Sequence, residues 1–193
     1  RDEAFPPPRR HGQDVAGGAM DDDLAAVHGV AHAVLGRAVD KGKMTAEDRD
    51  AAWARIHGTT EMKDLAGCDL VIEAVLENMA EKKSVFAALD AILAPHAIIA
   101  SNTSSLCITE MASVTRRGDK VLGLHFFNPV PVMPLLEIVR TILTSEETLA
   151  IARQFGASLG KTMVVAKDAP GFIVNLLLIP YALDAVRALE NGV

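Results

Sequence analysis

Side chains that can exchange a proton or hold an oxygen gather in the middle of this chain. They are Ser101-Asn102-Thr103-Ser104-Ser105, His125 within Gly123-Leu124-His125-Phe126-Phe127-Asn128-Pro129, and Glu137. The set holds a hydroxyl, an imidazole and a carboxylate. Imidazole, with an ordinary pKa of about 6.5, gains and loses a proton near neutral pH, so His125 is the natural general acid or base of the group. The serines are not placed as nucleophiles, because no G-x-S-x-G elbow surrounds them. They are suited instead to polarise an oxygen by hydrogen bonding. The serine and histidine clusters each follow a short apolar run, Ile98-Ile99-Ala100 and Val121-Leu122, and strand ends of an α/β sheet are where such folds place their chemistry. By position alone, a histidine at a strand end is more often a structural hydrogen-bonding residue. Glu137, inside Leu135-Leu136-Glu137-Ile138-Val139, could equally be the polar member of an edge strand.

The flanking pattern supplies the elements that must position these groups. Val27, Val30, Ala31, Val34, Leu35 and Ala38 recur at helical spacing, which predicts a helix over about 22–41 with Gly42 at its stop. Thr45 followed by Asp48 has the form of a capping box for a second helix carrying Ala52, Trp53 and Ile56. Leu70-Val71-Ile72-Glu73-Ala74-Val75 is nearly all apolar, as expected of a parallel strand buried on both faces. Asn78 and Glu81 cap the next helix, whose buried face is Val85, Phe86, Leu89, Ile92 and Leu93 before Pro95. With the strand at Ile98 this makes a βαβ unit. Further strands are expected at 121–126, 135–139 and 163–166, and a helix at about 145–159 with Thr144 and Glu147 as its caps. After Pro170-Gly171 a long apolar helix follows from Phe172 to Leu189 with Pro180 inside it, too apolar to stand alone.

Composition bounds what the chain can do. It has 193 residues, 50% hydrophobic, 4% aromatic and 23% charged, an ordinary globular balance. A net charge of −6 argues against nucleic acid or an anionic membrane surface as a partner. Cys68 and Cys107 lack metal-ligand spacing and fit a reducing compartment, hence a cytoplasmic expectation and no metal. The apolar run from Ala169 to Leu183, broken by Asn175 and Pro180, falls short of the ~20 residues of a membrane span. The N-terminal RDEAFPPPRR has no apolar core of an export signal. His28, His32, His57 and His96 have no ligand-like partners in sequence and are expected to be surface or packing residues.

Five strings in order, DLVIEAVLEN from Asp69, SNTSSL from Ser101, GLHFFNPVPVM from Gly123, LGK from Leu159 and KDAPGFIVN from Lys167, resemble the 3-hydroxyacyl-CoA dehydrogenase family. The resemblance runs from about Leu24 to Val193. It implies oxidation of the 3-hydroxyl of an acyl-CoA, with 3-hydroxybutyryl-CoA as the expected substrate, and hydride transfer to NAD. It implies His125 as general base, Glu137 as its orienting partner, and Ser104 and Asn175 as ligands of the substrate oxygens. Glu77, Lys82, Asn102 and Ser104 become the expected cofactor contacts. For Ser104 the plainer alternative is a helix cap beside Ser105. For Asn175 it is an amide bonded to the neighbouring backbone, and for Glu77 and Lys82 simple solvent exposure.

The family pattern also begins with a strand, a G-x-G-x-x-G turn and a helix that bind the pyrophosphate. No such turn occurs here, and no apolar strand is evident ahead of Gly17-Gly18. Pro134 and Leu176 stand where the family commonly has lysine and arginine. The expected fold class is therefore α/β, a partial Rossmann-type parallel sheet without its first glycine-rich βαβ segment, followed by the first helix of an all-α C-terminal domain. Residues 1–22 are expected as a mobile tail, 23–167 as the partial NAD-binding domain and 168–193 as the start of the helical domain, a chain shortened at both ends. An acyl-CoA is the expected small-molecule partner, with a homo-oligomer formed through the C-terminal helical region. Two other readings stay open, a catalytically silent relative acting by association and the dehydrogenase segment of a multifunctional fatty-acid oxidation protein.

Overall fold

The computed structural model describes residues 15–16 and 21–193. The chain divides into two compact units, Arg1–Ala66 and Gly67–Val193. In the first, strand β1 (Val15–Ala16) precedes helices α1 (Asp21–Asp40) and α2 (Ala46–Trp53) and strand β2 (Gly58–Thr59). α1 ends in a left-handed Gly42 at φ 64°. The Lys43 amide donates to Ala38 O and the Gly42 amide to Val39 O, a Schellman closure of the helix end. Thr45 caps α2, its Oγ1 accepting the Asp48 amide at 3.0 Å. The Asp48 carboxylate takes the Thr45 hydroxyl at 2.7 Å, so the pair closes through side chains where a capping box would use the Thr45 amide. Trp53 packs edge-on against His28 and His32.

β1 corrects the expectation that no strand precedes Gly17-Gly18: Val15 and Ala16 pair in parallel with Gly58 and Thr59. Two residues are too few to show a period, so pairing rather than pattern defines this strand. The rest of the expected 1–22 tail, apart from β1 and the first residues of α1, lies outside the described residues.

The second unit is a five-stranded sheet in the order β3-β4-β5-β6-β7, with β3 at Leu70–Glu73, β4 at Ile98–Ser101, β5 at Val121–Phe126, β6 at Leu135–Arg140 and β7 at Thr162–Lys167. All neighbours are parallel except β5 and β6, which run antiparallel. The sheet is thus parallel-dominated, as the Rossmann-type expectation has it, with one antiparallel pair that the sequence pattern did not single out. The link at 127–134 is too short for the crossover that a parallel return requires. Helices α3 (Met79–Ile92), α4 (Ile108–Ala112) and α5 (Glu146–Ser158) connect the strands, and α6 (Val174–Glu190) ends the chain.

Alternation along the strands sorts the residues into two faces. Ile98, Ala100, Leu122, Leu124, Leu136 and Ile138 pack on Leu149 and Ala152 of α5. The opposite face carries Glu73, Ser101, Gly123, His125 and Glu137. Gly123 is required there, because a Cβ would lie 2.4 Å from Ile108 Cδ1 and 2.8 Å from Val139 Cβ. Asn78 caps α3 as expected, its Oδ1 accepting the Ala80 and Glu81 amides. The cap of α5 is Ser145, which accepts the Thr148 amide. Thr144, the residue expected in that role, is buried and donates its hydroxyl to Val121 O at 2.6 Å. α6 begins two residues later than expected, after left-handed Gly171 and Phe172. Among the described residues no helix is long and apolar enough to cross a membrane.

Candidate active site

His125 and Glu137 are directly opposed in the β5–β6 ladder. Opposed residues put their side chains on the same face of a sheet, so the antiparallel register alone brings ring and carboxylate together. His125 Nδ1 lies 2.7 Å from Glu137 Oε2. An ionised carboxylate only accepts, so the ring nitrogen is the donor, which leaves Nε2 as the basic nitrogen of a neutral imidazole. Nε2 has no hydrogen-bond partner among the described residues and is not sealed from solvent. Glu137 is fully buried and His125 nearly so, at 0% and 4% exposure. The second carboxylate oxygen, Oε1, accepts the amides of Ile173 and Val174 at 3.1 and 3.0 Å. Phe127 and Phe172 flank the imidazole, with ring centroids 4.5 and 5.5 Å away.

The serine cluster leaves the carboxyl end of β4. Ser101 Oγ donates to Glu73 Oε2 at 2.7 Å. Asn102 accepts the Phe126 amide on its Oδ1 at 2.9 Å, so its carbonyl tethers this loop to the end of the histidine strand. Thr103 Oγ1 donates to Glu77 at 2.5 Å and accepts the Ser105 and Leu106 amides. Ser104 is exposed, and its hydroxyl has no partner among the described residues. It is not a helix cap: α4 starts after Cys107, and Asp168 takes the amides of Ile108 and Thr109 there. Asn175, in the first turn of α6, donates its Nδ2 to the Ser104 carbonyl at 3.2 Å. The fold therefore joins Ser104 and Asn175 across a long stretch of sequence, through the main chain of one and the side chain of the other. A cleft of about 510 Å³ opens between them, walled by Ser105, Gly171 and the apolar Leu176, Ile179 and Pro180.

Glu77 and Lys82 also come together, but in different settings. The Lys82 ammonium is 1% exposed and is surrounded by three acceptors: Glu73 Oε1 at 2.7 Å, Val75 O at 3.1 Å and Glu77 Oε2 at 3.3 Å. Its three N–H donors are matched inside the fold. Glu77 stays partly exposed. Burial pushes its carboxyl upward, but the Thr103 hydroxyl, the Lys82 charge and the Ser104 amide outweigh that and hold it below the ordinary carboxylate range. It is an ionised acceptor at neutral pH.

Sequence reasoning missed three contributors. Glu73, 4% exposed, anchors Lys82 and Ser101; an acid closing an otherwise apolar strand was its only signal. Asp168 ties the KDAPGF string to the start of α4. The amides of Ile173 and Val174 carry no side-chain signature at all.

The family model described as the 3-hydroxyacyl-CoA dehydrogenase NAD binding domain matches residues 11–169. A 3-hydroxybutyryl-CoA dehydrogenase of Mycobacterium tuberculosis is 49% identical over 160 residues, covering 82% of this chain and 56% of the relative. The mitochondrial hydroxyacyl-coenzyme A dehydrogenase of Sus scrofa is 54% identical over 124 residues, 64% of this chain and 40% of that protein. The crystal structure of M. tuberculosis FadB2 superposes with a TM-score of 0.89 at 45% identity, covering 93% of this chain and 63% of that one. The chain thus spans a little over half the length of the M. tuberculosis relative.

Proposed function

Because the chain belongs to the 3-hydroxyacyl-CoA dehydrogenase family, we propose that its site serves the oxidation of a 3-hydroxyacyl-CoA, 3-hydroxybutyryl-CoA first among them, to the 3-ketone. The observation that carries the reading is the buried His125–Glu137 pair with His125 Nε2 left unpaired. His125 Nε2 takes the proton of the 3-hydroxyl. Glu137 holds the ring in the tautomer that makes this possible and offsets the imidazolium charge, the logic of the acid in a serine-protease triad. Ser104 Oγ offers a donor to the substrate oxygen, and Asn175 keeps the Ser104 main chain in place. The cleft beside them is apolar apart from these groups, which suits a short acyl chain ending in polar functions.

The ionised, partly exposed Glu77 at the carboxyl end of β3 fits the hydroxyl donors of a ribose, so the residues present suit the nicotinamide end of NAD. When bound, NAD supplies the hydride acceptor. Glu77 would hold the ribose, with Ser104 at its side, while Lys82 and Asn102 act from behind by fixing Glu77 and the loop. Cys68 and Cys107, without metal-ligand spacing, suit a reducing compartment, and the cytoplasm is the one we propose.

The test is formation of NADH from 3-hydroxybutyryl-CoA and NAD, measured on this chain and on the same chain joined to the flanking lengths of the M. tuberculosis relative. Wild type should turn over in the joined protein. His125→Gln should lower kcat about a hundredfold or more with little change in KM, as expected for a group acting in the transition state. Near-normal turnover by His125→Gln would remove His125 from the chemistry.

A further inference from the structure

Glu137 is held from both sides, and only one side is the histidine. Its Oε1 sits between the amides of Ile173 and Val174, where α6 begins. Those amides point inward because of a built turn. Ala169, Pro170, Gly171 and Phe172 form a type II turn, with the Phe172 amide donating to Ala169 O at 2.9 Å and Gly171 at φ 79° in the position that needs it. A Cβ at Gly171 would come within 3.0 Å of the Leu176 amide nitrogen. The unusual residue is the next one. Phe172 is also left-handed, at φ 52°, among the described residues the only non-glycine with positive φ. A bulky residue in that region costs energy that the surroundings must repay, and such outliers gather at functional sites. Here Phe172 is 3% exposed with its ring packed edge-on against His125.

We propose that Phe172 is a positioning residue: its left-handed backbone aims the Ile173 and Val174 amides at Glu137 Oε1 and thereby fixes the carboxylate on His125 Nδ1. The assignment rests on the reading of His125 and Glu137 as the proton-transfer pair. One oxygen of a carboxylate cannot turn without the other. With Oε1 gripped by two amides, Oε2 has a single orientation to offer the ring, and the imidazole plane is set by groups from β5, β6 and the start of α6 together. A β-branched residue resists the left-handed region most strongly, whereas leucine, unbranched at Cβ like phenylalanine, tolerates it about as well.

Proton NMR of the labelled chain tests this without turnover. In wild type the Ile173 and Val174 amides should exchange with solvent about tenfold or more slowly than in an unstructured peptide, as for buried bonds to a charged acceptor. The His125 Nδ1–H should give a discrete downfield line that disappears in His125→Gln. Phe172→Val should bring both amides toward the unstructured rate and remove the line, and Phe172→Leu should retain both signals. Wild-type amides exchanging at the unstructured rate would overturn the assignment even if Phe172→Val fails to fold. So would Phe172→Val keeping both signals, or Phe172→Leu losing them. A chain that shows the clamp yet, in the joined protein, forms no NADH would overturn the dehydrogenase reading alone.

Discussion

At the scale of single residues the pair His125–Glu137 has a directional consequence. The carboxylate accepts, so the proton between the two sits on Nδ1 and the lone pair on Nε2. Glu137→Gln keeps the shape but offers Nδ1 either an N–H or an amide oxygen, and its oxygen is also the acceptor that the Ile173 and Val174 amides require. If the amides keep that oxygen, the side-chain NH₂ faces Nδ1 and drives the ring proton onto Nε2, where it blocks the base. Turnover in the joined protein should therefore fall about a hundredfold or more, with KM little changed and the fold retained by circular dichroism. Lys82 behaves differently. Removing it by Lys82→Met leaves Glu73 buried beside Glu77 with no counter-charge, so the chain should lose about 3–5 kcal/mol of stability in urea titration. His125, Glu137, Ser104 and Asn175 could be picked out as candidates because side-chain type and motif order both mark them, and the structure brings His125 to Glu137 and Asn175 to Ser104. The buried state of Lys82 was not, since a first-turn helix lysine reads as solvated until the Glu73 opposite it is seen to close the sheet.

At the scale of elements, what the sequence exposed well was each strand and helix whose apolar period runs without interruption, and what it hid was how their ends are tied. α3 was predicted with its N-cap and its apolar face. Its other end is held by a long-range partner no local pattern announces: Arg117 donates to the carbonyls of Asp90, Leu93, Ala94 and Ala97 and, through Nε, to the Asp90 carboxylate at 2.7 Å. These are the carbonyls a helix C-terminus leaves orphaned and those of the turn beyond it. Arg117→Ala should cost about 3–5 kcal/mol, read as a lower denaturation midpoint, because it strips both the cap and the buried charge partner of Asp90. Burial pushes the Asp90 carboxyl upward, yet the bonds from Arg117 and Arg116 overcome it and leave the group below the ordinary range. A carboxyl with a depressed folded pKa stabilises above its unfolded value and loses that contribution as pH falls through the folded one. Wild type should thus lose melting temperature below about pH 4 faster than Asp90→Asn, whose side chain does not titrate. The antiparallel turn between β5 and β6 was hidden for a related reason. Strand direction is set by the short 127–134 link and not by the residues of either strand, although that direction is what opposes His125 to Glu137.

At the scale of the whole molecule the least settled surface is α6. None of its residues is buried, and Leu176, Leu177, Leu178, Ile179, Tyr181 and Leu189 are each more than half exposed. Water does not favour so continuous an apolar helix, since exposed patches of this kind normally mark a contact surface. Its first turn is nevertheless fixed, with the amides of Ile173 and Val174 on Glu137 and Asn175 on the Ser104 carbonyl. The helix is therefore presented by the site and not merely attached to it, and any partner that covers it also bears on the segment that orients the carboxylate. This chain should self-associate through α6 at tens of micromolar, the range in which weak apolar contacts become populated. Leu177→Lys with Tyr181→Lys, at positions 68% and 74% exposed, should shift the sedimentation profile toward monomer without altering the melting of the sheet, because neither side chain contributes to its core. A wild-type profile already monomeric at those concentrations would show that the exposed face of α6 does not recognise a second copy of this chain.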